Sequence, residues 1–306
     1  MKKDTIFLKM SDNSAVAVHR WVPDGEPVAL IQISHGMAEH ALRYDYFGTA
    51  LTARGFAVYA HDHRGHGDTA GSRNLGYLAD KEGFERVTMD LREVIGQLKK
   101  DFPEKKGILF GHSFGSFISQ NYIERFGDEI DGCILSGSAG PRLPLVNAAR
   151  FIAGLTILFK GKRHRSPFLQ KLAFGGYNKR IENPASENAW LSRDAEEVRK
   201  YDAHDYDGFL PTAGFFYDLF TGLSRIHRKK AMEGIPRELP VFIFAGTADP
   251  VGDYGRTVKA LADIYRVQGL MDVTLNLYPE GRHEMLNEIN KDEVIRDIIG
   301  WIEGHI

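Results

Sequence analysis

The chain has 306 residues, 43% of them hydrophobic and 26% charged, with a formal net charge of -2. A length of this order holds one large α/β domain carrying an insertion, and the near-neutral charge excludes nucleic acid as a general partner. A single cysteine, Cys133, excludes an intrachain disulfide. It lies in the apolar run 130–135 and reads as a core residue, because apolar surroundings suppress the thiolate that a nucleophile needs. Residues 1–10 lack the apolar stretch and small-residue cleavage site of a secretory signal. The longest strongly apolar segment, 148–159, falls short of the roughly 20 residues of a spanning helix. The expectation is a soluble, cytoplasmic protein.

In chain order, residues 15–22 alternate as a half-buried strand does, and 28–34 and 56–60 are near-continuous apolar runs of the kind buried parallel strands show. Between these two runs a helix is predicted over 44–54, closed by Gly55. A helix over 83–101, a strand over 107–110, a helix over 114–125 and a strand over 130–135 continue the alternation. This rhythm predicts a parallel sheet covered by helices on both faces.

After Gly137 the rhythm breaks for about a hundred residues, and the strand 241–244 restores it. Residues 141–235 carry 16 Lys and Arg against 10 Asp and Glu, a net charge of +6, which leaves -8 for the rest. The division read from this is a catalytic body, 1–138 with 237–306, and an inserted helical cap, 139–236. Within the cap, Phe151, Ile152, Leu155, Leu158 and Phe159 make an apolar face at helical spacing, suited to packing on the body or to lining an acyl pocket. Lys160, Lys162, Arg163 and Arg165 follow it, and offer contact with anionic head groups at a membrane surface. The aromatic group Tyr201, Tyr206, Phe209, Phe215, Phe216, Tyr217 and Phe220 suits core packing or a second pocket. The chain closes with a helix over 254–268, a strand over 273–278, a loop to His283 and a last helix to Trp301.

Three segments carry chemistry. Gly111-His112-Ser113-Phe114-Gly115 follows a strand and opens a helix, the setting of a strained nucleophile elbow in which Gly111 and Gly115 let backbones approach. A serine hydroxyl needs a base and a group that orients the base. His283, after the last strand, and Asp249, after the strand before it, supply them in the order this elbow requires. Asp253 stands close by as an alternative acid. Gly36 lets the loop after the strand 28–34 turn toward the nucleophile, so that the amides of Met37 and Phe114 face a developing oxyanion. His283-Glu284 lacks the second histidine of a zinc-binding H-E-x-x-H, which argues against a metal.

Four segments together, His35-Gly36-Met37-Ala38-Glu39-His40 with Arg43 and Tyr44, Asp62-His63-Arg64-Gly65-His66-Gly67, Gly111 to Gly115, and Asp249-Pro250-Val251-Gly252 with His283, resemble the monoacylglycerol lipase and lysophospholipase-like branch of the α/β-hydrolases, which is also labelled with the serine aminopeptidases. The resemblance implies the α/β-hydrolase fold, a mostly parallel eight-stranded sheet with an inserted helical cap, and a cofactor-free serine hydrolase. Its expected substrates are small-molecule or lipid carboxylic esters, cleaved through an acyl-enzyme. The segment from Asp62 to Gly67 is implied to be a structural loop in which aspartate and arginine pair. An aminopeptidase-like amide hydrolase is the alternative, and it needs a cap carboxylate, from Glu182, Glu187, Asp205 or Asp207, to bind a free amine. A non-catalytic binding homologue would have lost one of Ser113, Asp249 and His283, and all three are present.

Overall fold

Eight strands build one sheet in the computed structural model, which describes residues 1–306. They are β1 (Lys2–Lys9), β2 (Ala15–Val22), β3 (Leu30–Ser34), β4 (Ala57–His61), β5 (Gly107–His112), β6 (Gly132–Ser136), β7 (Val241–Gly246) and β8 (Val273–Tyr278). Their spatial order is β1-β2-β4-β3-β5-β6-β7-β8. β2 runs antiparallel to both neighbours, while β3 to β8 are parallel throughout. The strands β3 to β7 are buried along their whole length, which explains their continuous apolar sequence. β1, absent from the predicted elements, is an edge strand. Its Ile6 and Leu8 pack on a small core with Val16 and Tyr59, but four charged residues mask the pattern.

Helices connect the parallel strands and cover both faces. Gly83–Asp101, Phe114–Phe126 and Arg256–Val267 bury Leu91, Ile118 and Leu261 against one face. Asp45–Ala53 and Lys291–Glu303 bury Phe47, Leu51, Ile295 and Ile298 against the other. Cys133 sits inside β6, fully buried, and burial pushes its thiol far up.

Residues 137–240, between β6 and β7, add no strand to the sheet. Their last long helix, Ala213–Ile226, belongs to the core: Phe215 and Phe216 are fully buried, and a Cβ at Gly222 would collide with the Phe84 ring. Helix Leu143–Lys160 is the opposite case, with only Val146 and Ala153 buried. Phe151, Leu158 and Phe159 are 67%, 74% and 76% exposed and Leu155 is 40% exposed, so the predicted apolar stripe does not pack on the body; Ile152 alone of it turns to the large cavity below. By length and composition this helix is long and apolar enough to cross a membrane.

The loop Asp62 to Gly67 departs from expectation in its pairing. Asp62 bonds His19 at 3.1 Å and accepts the amides of Ala41 and Asp68, both at 2.8 Å. Arg64 turns away to Asp90, 2.9 Å, and Asp12, 3.0 Å. A Cβ at Gly67 would strike the Asp62 carboxylate, so the glycine makes the space in which that carboxylate collects its donors.

Candidate active site

Strand β5 ends at His112, and the helix Phe114–Phe126 starts two residues on, so one residue must make the whole turn. That residue is Ser113, with φ 50° and ψ -117°. Such a conformation costs an L-residue about 1–3 kcal/mol. Neighbouring bonds hold it there: its amide donates to the Ser136 carbonyl at 2.9 Å, and its carbonyl accepts the amides of Ser116 and Phe117. Gly115 permits the close approach, since a Cβ there would overlap the carbonyl oxygens of Ser34 and His35; one at Gly111 would meet the Gly115 carbonyl at 2.6 Å.

The loops after β7 and β8 bring Asp249 and His283 together. Asp249 Oδ2 lies 3.0 Å from His283 Nδ1, and both side chains are buried. The Val251 amide holds the other carboxylate oxygen at 2.9 Å. Gly246 lets the two loops meet, for a Cβ there would overlap the carbonyl of Gly281. Asp253 takes no part; it pairs with Arg256 and Arg142. Burial works to lower the His283 pKa, but the charge and hydrogen bond of Asp249, with Glu284 and Glu39 behind, outweigh it and raise the pKa above the ordinary imidazole value.

Ser113 and His283 open into one cavity of about 1040 Å³, at the upper end of the roughly 300–1,000 Å³ usual for small-molecule sites. The Ser113 hydroxyl makes no hydrogen bond to His283 in this conformation; such bonds are often long before substrate binds. The His112 and His283 rings stand 4.8 Å apart, and a Cβ at Gly137 would come 2.9 Å from His283 Cε1.

The amides of Met37 and Phe114 donate to no protein acceptor and border this cavity. Their neighbours are engaged: Gly36 N–H goes to the Glu39 carboxylate and Ser113 N–H to Ser136. A Cβ at Gly36 would stand 3.3 Å from the Ser113 Cβ, so the two loops are in contact. His35 sets the direction of the Met37 amide. Its Nε2 accepts the His63 amide at 3.0 Å, so Nδ1 carries the proton and donates to the Gly36 carbonyl at 2.7 Å. In a planar trans peptide the Met37 N–H then points the opposite way. His35 belongs to a buried group with His61, His63 and His66, whose neighbouring rings are 4.2 to 4.7 Å apart for His35–His63 and His61–His63. Burial holds all four mainly uncharged, with pKa values lowered to about 3 for His35 and His66 and about 4 for His61, and His63 well below its ordinary value.

Sequence reasoning missed the buried charges around this site. Arg43, Glu39 and Glu284 meet there, and Trp190 packs 5.0 Å from the His283 ring. Glu39 and Arg43 stood in the first of the four resembling segments and Glu284 directly follows the predicted histidine, but nothing in the sequence joined the three. Of the predicted aromatic group, Tyr201, Phe209 and Phe220 border the cavity, whereas Phe215 and Phe216 are core. Apolar Phe117, Val146 and Leu223 line much of the cavity. Gln170 and Asn178 also border it, each with a side-chain oxygen that has no protein partner.

Comparison with known proteins agrees with this architecture. The family model described as serine aminopeptidase, S33 matches residues 25–290. A monoacylglycerol lipase of Mycolicibacterium smegmatis is 31% identical over 94% of this chain and 92% of its own length. A monoglyceride lipase of Rattus norvegicus is 29% identical, covering 99% and 92%. The crystal structure of a thermostable carboxyl esterase from Bacillus coagulans in complex with glycerol superposes with a TM-score of 0.93 at 28% identity, covering 100% of this chain and 99% of that one. The chain belongs to the serine aminopeptidase, S33 family, as a monoacylglycerol lipase-like α/β-hydrolase.

Proposed function

We propose that this carboxylic ester hydrolase cleaves monoacylglycerols, or lysophospholipids and shorter acyl esters of the same form, through an acyl-enzyme on Ser113. The observation that carries this reading is the Asp249–His283 pair beside the strained Ser113, opening into a large and mainly apolar cavity. His283 takes the proton of Ser113 as the oxygen attacks the acyl carbonyl, and the amides of Met37 and Phe114 receive the oxyanion. Asp249 holds the imidazole with Nδ1–H toward itself, leaving Nε2 as the base. The C–O bond to the leaving alcohol breaks as His283 protonates that alcohol. Water, deprotonated by the same imidazole, then attacks the ester on Ser113 and releases the acid. Residues 139–236 act as a cap that shapes the pocket on a body of 1–138 and 237–306.

The polar fringe of the cavity suits a polyol leaving group. Asn178, which borders the cavity, gives both amide hydrogens to the carbonyls of Ser186 and Glu187, at 3.0 Å each, while its Oδ1 is buried without a protein partner. The amide-hydrolase alternative has less support: Asp207 is engaged by His40, Glu182 and Asp205 are exposed away from the cavity, and Glu187 alone borders it. Turnover of monoacylglycerols from eight to eighteen carbons should exceed that of aminoacyl amides by at least about 100-fold, the scale set by one unmet polar contact or more. Amide cleavage without ester cleavage would reverse the reading.

A second observation favours transient contact with a membrane surface. Leu145, Phe151, Leu158, Phe159 and Phe168 are each more than 60% exposed on and beside helix Leu143–Lys160, and Leu145 also borders the cavity. The basic residues that follow are mostly engaged elsewhere. Lys162 donates to the Asp80 carbonyl, Arg163 lies 3.9 Å over the Tyr77 ring, and Arg165 bonds Leu210 and Leu75 carbonyls. The attachment is therefore apolar rather than electrostatic. Cosedimentation with phosphatidylcholine vesicles should survive about 0.5 M salt, where charge attraction is screened. Leu158→Ser with Phe159→Ser should abolish it and leave turnover of a short soluble ester unchanged. Wild-type protein that never cosediments would dispose of the contact.

A further inference from the structure

Four charged side chains are buried together beside the site without belonging to the reacting set. Arg43, Glu39, Glu284 and Asp207 have side chains only 10%, 4%, 6% and 3% exposed. They come from three stretches of chain: the loop and turn after β3, the residue after His283, and the insertion. Burying one guanidinium with three carboxylates is costly unless the geometry is well satisfied, and a hydrophobic cluster would serve packing alone at least as well. The arrangement calls for a reason beyond stability.

We propose that Arg43 is a positioning residue: its guanidinium, clamped between Glu39 and Glu284, fixes the loop carrying the Met37 amide relative to the loop carrying His283. This rests on the roles proposed above for Met37 and His283. On one side, Arg43 Nη1 donates to Glu39 Oε2 at 2.8 Å, and Glu39 Oε1 accepts the Gly36 amide and the Tyr44 hydroxyl. Glu39 thus grips the N–H of Gly36 while His35 grips its carbonyl, and the Gly36–Met37 peptide has little freedom left. On the other side, Nη1 and Nη2 form a fork to Glu284 at 2.6 and 2.7 Å. Glu284 follows His283 directly, and its own amide is held by the Leu191 carbonyl at 2.7 Å.

The insertion closes the triangle. The Tyr201 ring lies 4.8 Å under the guanidinium, and its hydroxyl donates to the Ala38 carbonyl at 2.9 Å. The Gly208 amide donates to the same carbonyl at 2.9 Å. Ala38 has a φ of 53°, so these bonds hold the residue after Met37 in a left-handed conformation it would otherwise leave. Asp207 Oδ2 is 3.6 Å from Arg43 Nε, while its Oδ1 bonds His40.

Two substitutions separate geometry from charge. Arg43→Lys keeps the positive charge but loses the planar fork, and a single ammonium cannot span Glu39 and both oxygens of Glu284. Glu284→Gln keeps the shape and removes a negative charge facing His283, whose other charged or titratable neighbours are Asp249, Glu39 and His112. The measurements are kcat and KM per probe-titrated site, the pH profile of kcat/KM, and the rate of fluorophosphonate labelling. Arg43→Lys should lower kcat and labelling rate by about 100-fold, the scale of an ångström misplacement, with KM within about threefold and the acid limb unmoved. Glu284→Gln should lower kcat and also move the acid limb to lower pH, since a negative charge that favours protonated His283 is gone. A residue serving only stability would reduce the amount of folded protein and leave kcat per titrated site at the wild-type value. Either variant folded, by near-ultraviolet circular dichroism, with wild-type kcat and labelling rate overturns the proposal. Wild-type protein that does not label at all defeats the proposed function instead.

Discussion

Ser113→Ala should abolish labelling by a fluorophosphonate probe and lower ester turnover by about 10⁵-fold, the scale seen when a serine nucleophile is removed. Nothing else in the site can replace the serine. Cys133 is fully buried in β6 with its thiol pushed far up, and the nearby Ser116 and Ser138 hydroxyls are bonded to each other at 2.9 Å. The substitution leaves the fold intact, because the Ser113 side chain makes no capping bond to its helix. Alanine must adopt the same φ of 50°, so backbone strain is unchanged and stability stays within about 1 kcal/mol. Any residual activity should reflect the proposed oxyanion donors, the Met37 and Phe114 amides, acting on direct attack by water. Mass spectrometry of the labelled peptide is the decisive measurement: a tag on any residue other than Ser113, or an active Ser113→Ala, refutes the assignment.

Mild acid should unfold the protein. Six histidines, His35, His61, His63, His66, His112 and His227, are buried and held neutral by desolvation first of all, with pKa values of about 3 to 4 where a value is given and His63 well below normal. In the unfolded chain each titrates near 6.5. The unfolded state therefore binds more protons as pH falls below about 6.5, so the stability these groups contribute is present above that pH and is lost on acidification toward their folded values. His283, raised instead, is protonated in both states below about 6.5 and leaves this slope unchanged; the stability it contributes is lost only as pH rises through its folded value. Near pH 5 these six groups give a difference of more than five protons and a slope of up to about 7–8 kcal/mol per pH unit, against a total stability of about 5–15 kcal/mol. The urea midpoint should be flat from pH 8 to 7, fall steeply below 6, and vanish before pH 4. A midpoint equal at pH 7.5 and 5 would show that these rings are not held neutral.

Where chemistry sits next to a strand end, the chain announced it. Gly111 and Gly115 flank Ser113 because backbones nearly touch there, and Asp249 and His283 stand at the tips of β7 and β8, so local sequence and spatial position coincide. Arg43 is the contrary case. Its partners are 4, 164 and 241 residues away, at Glu39, Asp207 and Glu284, and no periodicity links them. Asp62 and Arg64 illustrate the same limit: neighbours of opposite charge were expected to pair, yet tertiary packing gave each a better partner in His19 and Asp90. Strand β1 was hidden because an edge strand buries too little to show a clean alternation. For the exposed Phe151, Leu158 and Phe159 the sequence left packing on the body, lining a pocket and contact with a membrane side by side, because apolar periodicity records that a face avoids water, not what covers it.

The two kinds of helix between β6 and β7 bear on how such a chain can change. A connection between adjacent parallel strands needs only one helix of about a dozen residues, and Ala213–Ile226, buried against the helices Gly83–Asp101 and Phe114–Phe126, is the long helix of this stretch that joins the core. Everything from Leu143 to Ala203 is surplus to topology. Loop closure costs only about 0.6 kcal/mol per doubling of length, so the length of that surplus by itself burdens the fold little. Many bonds nonetheless tie it to the body: Arg193 pairs with Glu288 at 2.9 Å, Arg282 donates to the Ala189 and Ser192 carbonyls, and the amides of His283 and Glu284 donate to the Trp190 and Leu191 carbonyls. The vestibule is thus fastened to the reaction centre it covers, and any rewriting of it must keep the carbonyls of Trp190 and Leu191 where the loop of His283 meets them.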